Sequence, residues 1–497
     1  MKILVTGGTG VIGEGVVPEL ITRGHHVRLL SRHADEDAKQ WPGIEPFEGD
    51  VADATTLRGA ADGCDAVLHI AGIAEEDPPK LTFESVNVGG TRNILDEAKR
   101  AGVKRFVFVS SLGAEVGQSD YHRSKKAGEA LTAQSDLDWT IIRPGNVFGP
   151  GDEVFSRILK MVRVLPAVPV IGSGDQEFQP IWHEDLARVL ATAVEHNDLS
   201  KQTLEAAGPE ITTMNDLVNR FREITGRSPL KVPVPSALAQ FGVDENKLQM
   251  LREQNLVRGR SAVEVLRIDT TPLDQALRLL ADSFKETLPE EGFGAFEHKT
   301  FYADMRGARH SAASLMKTFR EHVNEFMPIE FVAEPGAPDR IEKGATLTGS
   351  LPLRGNFQVR VEVAEPTHVV FATLEGHPLS GIVEFTSSEN DGVLRFAIDT
   401  WTRASNVLDW VAARTIGAVA QDANWRAVVQ RIIDASGGTS DGVKQEKEKL
   451  SEEDAQRAEE RMKTLVQARK RSEVAAPEDD ERPPAAGATG PGPRLRA

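Results

Sequence analysis

Three side chains in the first third of the sequence have the types and spacing needed to move a proton. Tyr121 and Lys125 stand four residues apart in Tyr-His-Arg-Ser-Lys, so on a helix they share one face. A phenol titrates near about 10, and an adjacent ammonium favours the phenolate and brings its pKa toward neutral pH. Ser111 follows the strand-like run 106–110, whose first four residues are apolar, and is suited to hydrogen-bond a carbonyl or hydroxyl. We predict that these three residues form a catalytic site.

A glycine-rich turn near the amino end predicts a nucleotide site. Thr6-Gly7-Gly8-Thr9-Gly10-Val11-Ile12-Gly13 follows an apolar strand-like run and opens an amphipathic stretch. One glycine makes the tight turn, one admits a pyrophosphate to the backbone, and one lets helix and strand pack closely. The helix N-terminus adds free N–H groups and a partial positive charge. The predicted contacts are Gly7, Thr9, Gly10, Val11, Ile12 and Gly13.

The end of the second predicted strand indicates which dinucleotide binds. An acid there hydrogen-bonds a ribose 2′-hydroxyl, whereas an arginine accommodates a 2′-phosphate. The sequence has Ser31 and Arg32 at this point, which favours NADP, although the acids at 35–37 leave NAD as the alternative. A nicotinamide cation near Tyr121 would then favour the phenolate further. Further along, we expect the cofactor to lie against Asp50, Val51, Ala71 and Gly72.

The elements that must position these residues alternate between short β-branched runs and amphipathic stretches. This alternation predicts βαβ units, and right-handed crossovers then give an α/β fold of the Rossmann type, with a doubly wound parallel sheet. The predicted strands are Lys2–Thr6, His26–Leu30, Glu45–Glu48, Ala66–Ile70, Arg105–Ser110 and Trp139–Ile142, and the predicted helices are Val11–Thr22, Phe83–Ala101 and Tyr121–Thr132.

Together these motifs resemble the short-chain dehydrogenase/reductase family, in its extended and atypical, epimerase/dehydratase-like branches. The resemblance covers about residues 1–290 and includes Asn87-Val88-Gly89-Gly90-Thr91 and the run from Arg143 to Asp152. It implies a Ser111, Tyr121 and Lys125 triad, Lys125 on the nicotinamide ribose, Asn87 at the cofactor, and Pro144 and Val147 at the nicotinamide. Residues 203–282 are similar to the branch of the complex I accessory subunit. Ser111 and Tyr121 are only 10 positions apart, a spacing more like that of atypical members, several of which bind nucleotide without evident turnover.

Beyond residue 150 the pattern changes twice. Residues 151–290 are expected to form the substrate-side extension, including a helix over Leu186–Glu195 with Asp185 as its N-cap. Residues 291–436 then have the order strand, helix, antiparallel strands and a long helix over Asn406–Ile433, packed through Trp410, Ile416, Val419 and Trp425. This order resembles the α+β helix-grip fold of START-like (SRPBCC) domains, and the Gly-His-Pro at 376–378 is similar to a segment of one uncharacterised bacterial family with that type of fold. The resemblance implies a cavity for an apolar ligand; the alternative is a sheet and helix that only pack on the first domain.

Residues 437–497 form a tail without any aromatic residue, for which we predict no core. Within it, residues 444–471 mix Lys and Arg with Glu and are predicted to form a solvated helix, with docking to a partner as the alternative. From Pro477 onward the composition predicts disorder. The expected domains are therefore 1–150, 151–290, 291–436 and 437–497.

Composition limits the partners. The net charge is −17, the wrong sign for a nucleic acid, and no run approaches the roughly 18 apolar residues of a membrane span. One cysteine and no evident signal peptide favour the cytoplasm, and the histidines lack metal-ligand spacing. A monomer and an oligomer stay equally open.

We predict an NAD(P)-dependent oxidoreductase that acts on a carbonyl or hydroxyl substrate. The identity of that substrate stays open, and an apolar molecule is one of the options. The alternatives are a non-catalytic NADPH-binding assembly or regulatory protein and a sugar-nucleotide epimerase or dehydratase.

Overall fold

A computed structural model describes residues 1–235, 255–289, 292–328, 334–335, 340–351, 355–406, 418–448, 450 and 452–475. The chain divides into two compact units, one made of Met1–Phe284 with Leu351–Asn356, the other of Lys285–Ser350 with Phe357–Ala497.

The first unit contains a parallel seven-stranded sheet. Along the chain its strands are β1 (Lys2–Thr6), β2 (His26–Ser31), β3 (Glu45–Glu48), β4 (Ala66–His69), β5 (Arg105–Val109), β6 (Asp138–Pro144) and a seventh, Gln202–Ala206, named β11 below. Their spatial order is β11-β6-β5-β4-β1-β2-β3, with every pairing parallel. The order reverses direction at β1, so the glycine turn after β1 lies at the switch point where α/β sheets bind ligands.

Helices cover both faces of this sheet. On β1, Ile3 and Val5 enter one buried cluster while Leu4 enters another, as the alternation of side chains along a strand requires. The helices of the first half are α1 (Val11–Thr22), α2 (Ala34–Asp37), α3 (Gly90–Ala101), which a π-helical turn at Glu84–Gly89 precedes, and α4 (Asp120–Ala133). The sequence-based prediction of a doubly wound α/β fold is therefore confirmed.

The rest of the first unit builds short strands and helices beside the sheet. The strands are β7 (Asn146–Phe148), β8 (Ala167–Ile171), β9 (Glu177–Phe178), β10 (Pro180–Trp182), β12 (Thr212–Thr213) and β13 (Leu230–Val234). The helices are α5 (Phe155–Val164), α6 (His183–Glu195), α7 (Met214–Thr225), α8 (Ala262–Leu266) and α9 (Leu273–Asp282).

The predicted N-cap of α6 is wrong. The helix begins at His183, so Asp185 lies inside its first turn. Its buried carboxylate accepts hydrogen bonds from the backbone N–H and the hydroxyl of Thr271, both at 2.8 Å, and an ion pair from Arg188. Asp185 therefore holds a distant segment against the helix instead of capping it.

The second unit is an antiparallel sheet with helices on both of its faces. Its strands are β14 (Phe293–Arg306), β15 (Thr346–Leu351), β16 (Gly355–Ala364), β17 (His368–Thr373), β18 (Leu379–Asn390), β19 (Val393–Ala404), β20 (Thr439–Ser440) and β21 (Lys444–Glu448). The order is β15-β16-β17-β18-β19-β14-β20, and β21 also pairs with β14. The helices α10 (Ala312–Glu321), α11 (Val323–Phe326) and α12 (Ala418–Ser436) enclose a core with Phe301, Phe385 and Phe396.

Of the predicted long helix over 406–433, residues 418–436 are helical, with Trp425 buried. Trp410, Ile416 and the side chain of Val419 lie outside the described residues. In the part of the chain that the structure describes, no helix combines the length and the apolar character needed to cross a bilayer.

The prediction for residues 444–471 is wrong in two respects. Lys444–Glu448 form the strand β21 beside β14, and the helix α13 (Glu452–Ala475) begins only afterwards. Nor is that helix merely solvated, because Met462 and Val466 are buried, and Met462 packs against Val370 and Ile382. On β17, Val370 faces α13 while its neighbour Phe371 faces the central core, so α13 covers the opposite face of the sheet.

Candidate functional site

The glycine turn is shaped by close approaches that exclude any side chain. Gly7 has φ +73°, and a Cβ atom there would lie 2.6 Å from the backbone nitrogen of Ala71 at the end of β4. A Cβ on Gly13 would lie 2.3 Å from the backbone of Gly8. Gly10 stands at the N-cap of α1 and has no side chain to bond the first N–H groups of the helix, which is the arrangement that receives an anionic phosphate.

A crevice of about 730 Å³ runs from this turn to the predicted catalytic residues. Its volume falls in the range of about 300–1,000 Å³ typical of cofactor sites. The predicted site residues that line it are Gly7, Thr9, Gly10, Val11, Ile12, Ser31, Arg32, Asp50, Val51, Ala71, Gly72, Ser111, Tyr121, Lys125, Pro144 and Val147. Gly13 and Asn87 are not among the lining residues, because the first packs against the glycine turn and the second braces a loop.

Asn87 holds the backbone beside the crevice. Its Oδ1 accepts from the N–H of Ile73 at 2.8 Å, and its Nδ2 donates to the carbonyl of Ile73 at 3.0 Å and to the hydroxyl of Ser124 at 2.9 Å. These bonds tie the loop after β4 to α4. Asn87 therefore fixes Gly72 beside Lys125 without itself facing the crevice.

At the end of β2, the hydroxyl of Ser31 donates to the carboxylate of Asp37, which also lines the crevice. The exposed side chain of Arg32 stands next to this pair. The sequence does not distinguish Asp37 from the other two acids at 35–37. Its position at the crevice depends on the fold, in which α2 folds back over β2.

The predicted triad comes together in the crevice. Ser111 lowers the pKa of the Tyr121 phenol as its hydrogen-bond partner, and the ammonium of Lys125 donates to the carbonyl of Val109 at 3.1 Å. Tyr121 and Lys125 lie on one face of α4, whose N-cap Ser119 accepts a hydrogen bond from the N–H of His122. Ser111 follows β5, and the short loop 112–120 returns the chain from it to α4.

Burial sets the ionisation of this group in the protein alone. It raises the pKa of Tyr121 to about 12, and the hydrogen bond from Ser111 only partly opposes this. Burial likewise lowers the pKa of Lys125 to about 8, while the nearby charge of Glu129 acts in the opposite direction. The lowering of the pKa of Tyr121 that we expected from Lys125 is not found: loss of solvent around the phenol raises the pKa, and Ser111 is the group that opposes this.

Beyond Tyr121 the crevice is lined by residues that the sequence did not identify. Asp152 caps α5 by accepting from the N–H groups of Val154 at 2.9 Å and Phe155 at 2.6 Å, and all three line the crevice. The amide of Asn255 donates to Oδ1 of Asn146 at 2.7 Å. The aspartate three residues before an apolar helix was a detectable cap signal, whereas nothing near Asn255 in sequence points to this site.

Family models match both parts of the chain. A family model described as NAD(P)H-binding matches residues 7–197, and one described as a domain of unknown function (DUF1990) matches residues 280–431. The 3 beta-hydroxysteroid dehydrogenase/Delta 5-->4-isomerase of Mycobacterium tuberculosis is 34% identical over 186 residues, which cover 32% of this chain and 50% of that protein. Sterol demethylase protein B of Methylococcus capsulatus is 30% identical over 269 residues, covering 48% of this chain and 79% of that protein.

Two further similarities cover the same part of the chain. A mitochondrial NADH dehydrogenase (ubiquinone) 1 alpha subcomplex subunit 9 of Arabidopsis thaliana is 25% identical over 288 residues, covering 55% of this chain and 71% of that protein. The structure of UDP-glucose 4-epimerase from Thermus thermophilus in complex with NAD is 24% identical, with a TM-score of 0.47, and covers 57% of this chain and 98% of that one. The chain spans between half and two thirds of the length of several curated relatives that it matches.

The parallel sheet, the glycine turn and the crevice define a Rossmann-type protein that binds NAD(P)H. This part of the chain belongs to the short-chain dehydrogenase/reductase family.

Proposed function

We propose that the first unit is an oxidoreductase that transfers hydride between NAD(P) and an uncharged alcohol or ketone. The observation that carries this proposal is that Ser111 and Tyr121 line the same crevice, which begins at the glycine turn, with Ser111 acting on the phenol as a hydrogen-bond partner. A phenol and a hydroxyl held together in this way can both reach one oxygen of a substrate.

Each residue of the triad has a distinct role in this proposal. NAD(P) supplies the acceptor or donor of hydride at its nicotinamide ring. Tyr121 takes the proton from the alcohol or returns it to the ketone oxygen, and Ser111 donates a hydrogen bond to the same oxygen. Lys125 holds the ribose. As a cation it also favours the phenolate form of Tyr121, which accepts the proton of the alcohol.

The charge of the crevice supports an uncharged substrate. Among its described lining residues, arginine and lysine occur only at Arg32, next to the glycine turn, and at Lys125. The lining also includes Asn146, Asp152 and Val154, which supply amide, carboxylate and apolar surface. A sugar nucleotide carries a diphosphate that calls for cationic partners, so this lining favours a hydroxylated apolar molecule over the epimerase substrate. The two relatives that are named for steroid or sterol chemistry point the same way.

The proposed cofactor is NADP, with NAD as the weaker ligand. Arg32 stands at the crevice with an exposed guanidinium that suits a 2′-phosphate. The carboxylate of Asp37 is engaged by Ser31, so it is less available to a ribose 2′-hydroxyl. Both features concern the same end of the cofactor.

A second candidate is a non-catalytic NADPH-binding protein with a role in assembly or regulation. The observation that favours it is the pKa of Tyr121, which burial raises to about 12 and which opposes proton acceptance at neutral pH. The similarity to the mitochondrial NADH dehydrogenase subunit supports the same candidate.

For the rest of the chain we propose that residues 151–290 form the substrate-binding extension of the first domain and that residues 291–436 are a helix-grip module for an apolar ligand. The antiparallel sheet of the second unit and its long helix α12 support the assignment as a helix-grip module. A cytoplasmic location is proposed from the single, buried, unpaired Cys64.

The test uses both tyrosines of the chain. NADP-dependent oxidation of a panel of neutral secondary alcohols, headed by a 3β-hydroxysteroid, is measured for the wild type, Tyr121→Phe and the matched control Tyr302→Phe. We expect turnover in the wild type and the control, a loss of at least about 100-fold in Tyr121→Phe, and similar NADPH affinity in all three. Turnover by Tyr121→Phe at the wild-type rate would refute the proposed role, and binding without turnover in any form would establish the second candidate.

A further inference from the structure

Arg143 is the centre of a charged cluster directly behind the catalytic residues. It precedes Pro144 near the end of β6, and its side chain is only 13% exposed. Its guanidinium binds Glu129 through two parallel hydrogen bonds, Nε to Oε1 and Nη2 to Oε2, both 2.8 Å long. Nη1 forms an ion pair with Glu115 and lies 3.9 Å from Glu205.

The three acids belong to different elements. Glu129 lies on α4, one turn after Lys125, and Glu115 lies in the loop 112–120 that connects Ser111 to Tyr121. Glu205 lies on β11 and accepts from the N–H groups of Arg258 and Gly259, both at 2.6 Å. One planar guanidinium thus joins the loop and the helix that carry the two ends of the Ser111–Tyr121 hydrogen bond.

We infer that Arg143 is a positioning residue that fixes the loop 112–120 to α4 and so sets the distance between Ser111 and Tyr121. This inference rests on the proposed function. The loop contains Gly113 and Gly117, and both pack so closely on the ring of His122 that a Cβ on either would lie 2.3 Å from it. A loop with two glycines has little stiffness of its own, and its ion pair with Arg143 adds to the packing on His122 and to the hydrogen bond that Lys126 donates to the carbonyl of Glu115 at 3.2 Å.

The chemistry of the side chains makes arginine the suitable residue. A guanidinium presents its donors in a rigid fork that matches a carboxylate bidentately and still has a donor for a second acid, whereas an ammonium is a point charge. The acids beside Arg143 raise its pKa above the ordinary value, so it stays charged throughout the working range. Glu129 then stays paired, one turn from Lys125.

The test begins with Glu115→Gln, because the side chain of Glu115 is 63% exposed and its replacement leaves no buried charge unpaired. Glu223→Gln, at an exposed position of α7, is the matched control. With the best alcohol of the panel, we expect kcat to fall about tenfold in Glu115→Gln, with NADPH affinity within about twofold of the wild type. Backbone hydrogen exchange in residues 112–119 should accelerate in this variant and stay unchanged in the control.

Arg143→Gln and Arg143→Lys complete the test. Both should lower kcat at least as much as Glu115→Gln, and adding Glu115→Gln to Arg143→Gln should lower it no further, because the same link is already broken. Wild-type kcat and loop exchange in Glu115→Gln would overturn the inference, even if the Arg143 variants fail to fold. If the wild type shows no turnover, the proposed function is overturned instead. Hydrogen exchange in the loop then decides by itself whether Arg143 anchors it.

Discussion

Ser111 lowers the pKa of the Tyr121 phenol as its hydrogen-bond partner across a loop of residues 112–119, which runs from the end of β5 to the start of α4. The bond joins a hydroxyl at the carboxyl edge of the sheet to a phenol on a helix, and both line the crevice. The short loop therefore does not keep the two groups apart, although longer segments usually separate them in the extended members of the family.

Ser111→Ala should reduce alcohol oxidation and change its pH dependence. The hydrogen bond from Ser111 lowers the pKa of Tyr121, so its loss raises that pKa further and leaves less phenolate at any given pH. We expect a rate at pH 9 lower by about tenfold or more, and a pH–rate curve displaced toward higher pH. Steady-state rates between pH 6 and 10 measure both effects; an unchanged curve would show that Ser111 does not act on the phenol.

Lys125→Met should stabilise the cofactor-free protein while weakening cofactor binding. Burial lowers the pKa of Lys125 from 10.5 to about 8, so the charged form destabilises the fold below pH 8, and this penalty disappears as pH rises from 8 to 10.5. At pH 7 we expect the free energy of unfolding to rise by about 1–3 kcal/mol. The stabilisation lost with the hydrogen bond to Val109 has to be subtracted from this gain. Urea unfolding at pH 7 and pH 10.5 measures this gain, which should vanish at the higher pH. A less stable variant at pH 7 would contradict it.

Gly7→Ala should abolish cofactor binding, and Gly24→Ala isolates the reason. Both glycines have positive φ, +73° and +80°, but a Cβ at Gly24 meets no atom within 4 Å, whereas one at Gly7 meets the backbone of Ala71 at 2.6 Å. Gly24→Ala should therefore cost only the backbone strain, about 1–2 kcal/mol, and keep its affinity for NADPH. Gly7→Ala should cost more and show no binding by fluorescence titration; equal behaviour of the two variants would exclude the close approach as the cause.

Arg469→Gln should destabilise the second unit strongly. Arg469 is 3% exposed on α13, and it pairs with Glu362 at 2.8 Å and with Glu286, both buried. The substitution removes a positive charge that pairs with two buried carboxylates, which should lower the free energy of unfolding by about 3 kcal/mol. The control Arg395→Gln breaks an exposed bidentate pair with Asp304 and should cost less than about 1 kcal/mol. Equal losses in thermal unfolding would mean that α13 does not hold the sheet through this pair.

The sequence predicted the first unit well because its signals are local. The apolar runs, the glycine turn and the Tyr121/Lys125 spacing each describe one element, and the order of these elements leaves few topologies. The cap of α6 was misplaced because the carboxylate of Asp185 is used by Thr271, 86 residues away, which no local pattern reports.

The later part of the chain was harder for the same physical reason. The charged residues 444–448 form a strand because β14 offers an open edge, and α13 is buried because Met462 and Val466 find the apolar face of β17 and β18. The roles of Asn87 and Asn255 likewise depend on partners distant in sequence. The division into domains at residues 150, 290 and 436 stays a prediction.

The most direct test of the account is calorimetric titration of the full-length protein with NADPH and with NADH. We expect saturable binding of one dinucleotide per chain, tighter for NADPH, and loss of that preference in Arg32→Ala. No heat with either dinucleotide would contradict the assignment of the crevice, and with it the proposed chemistry of Tyr121.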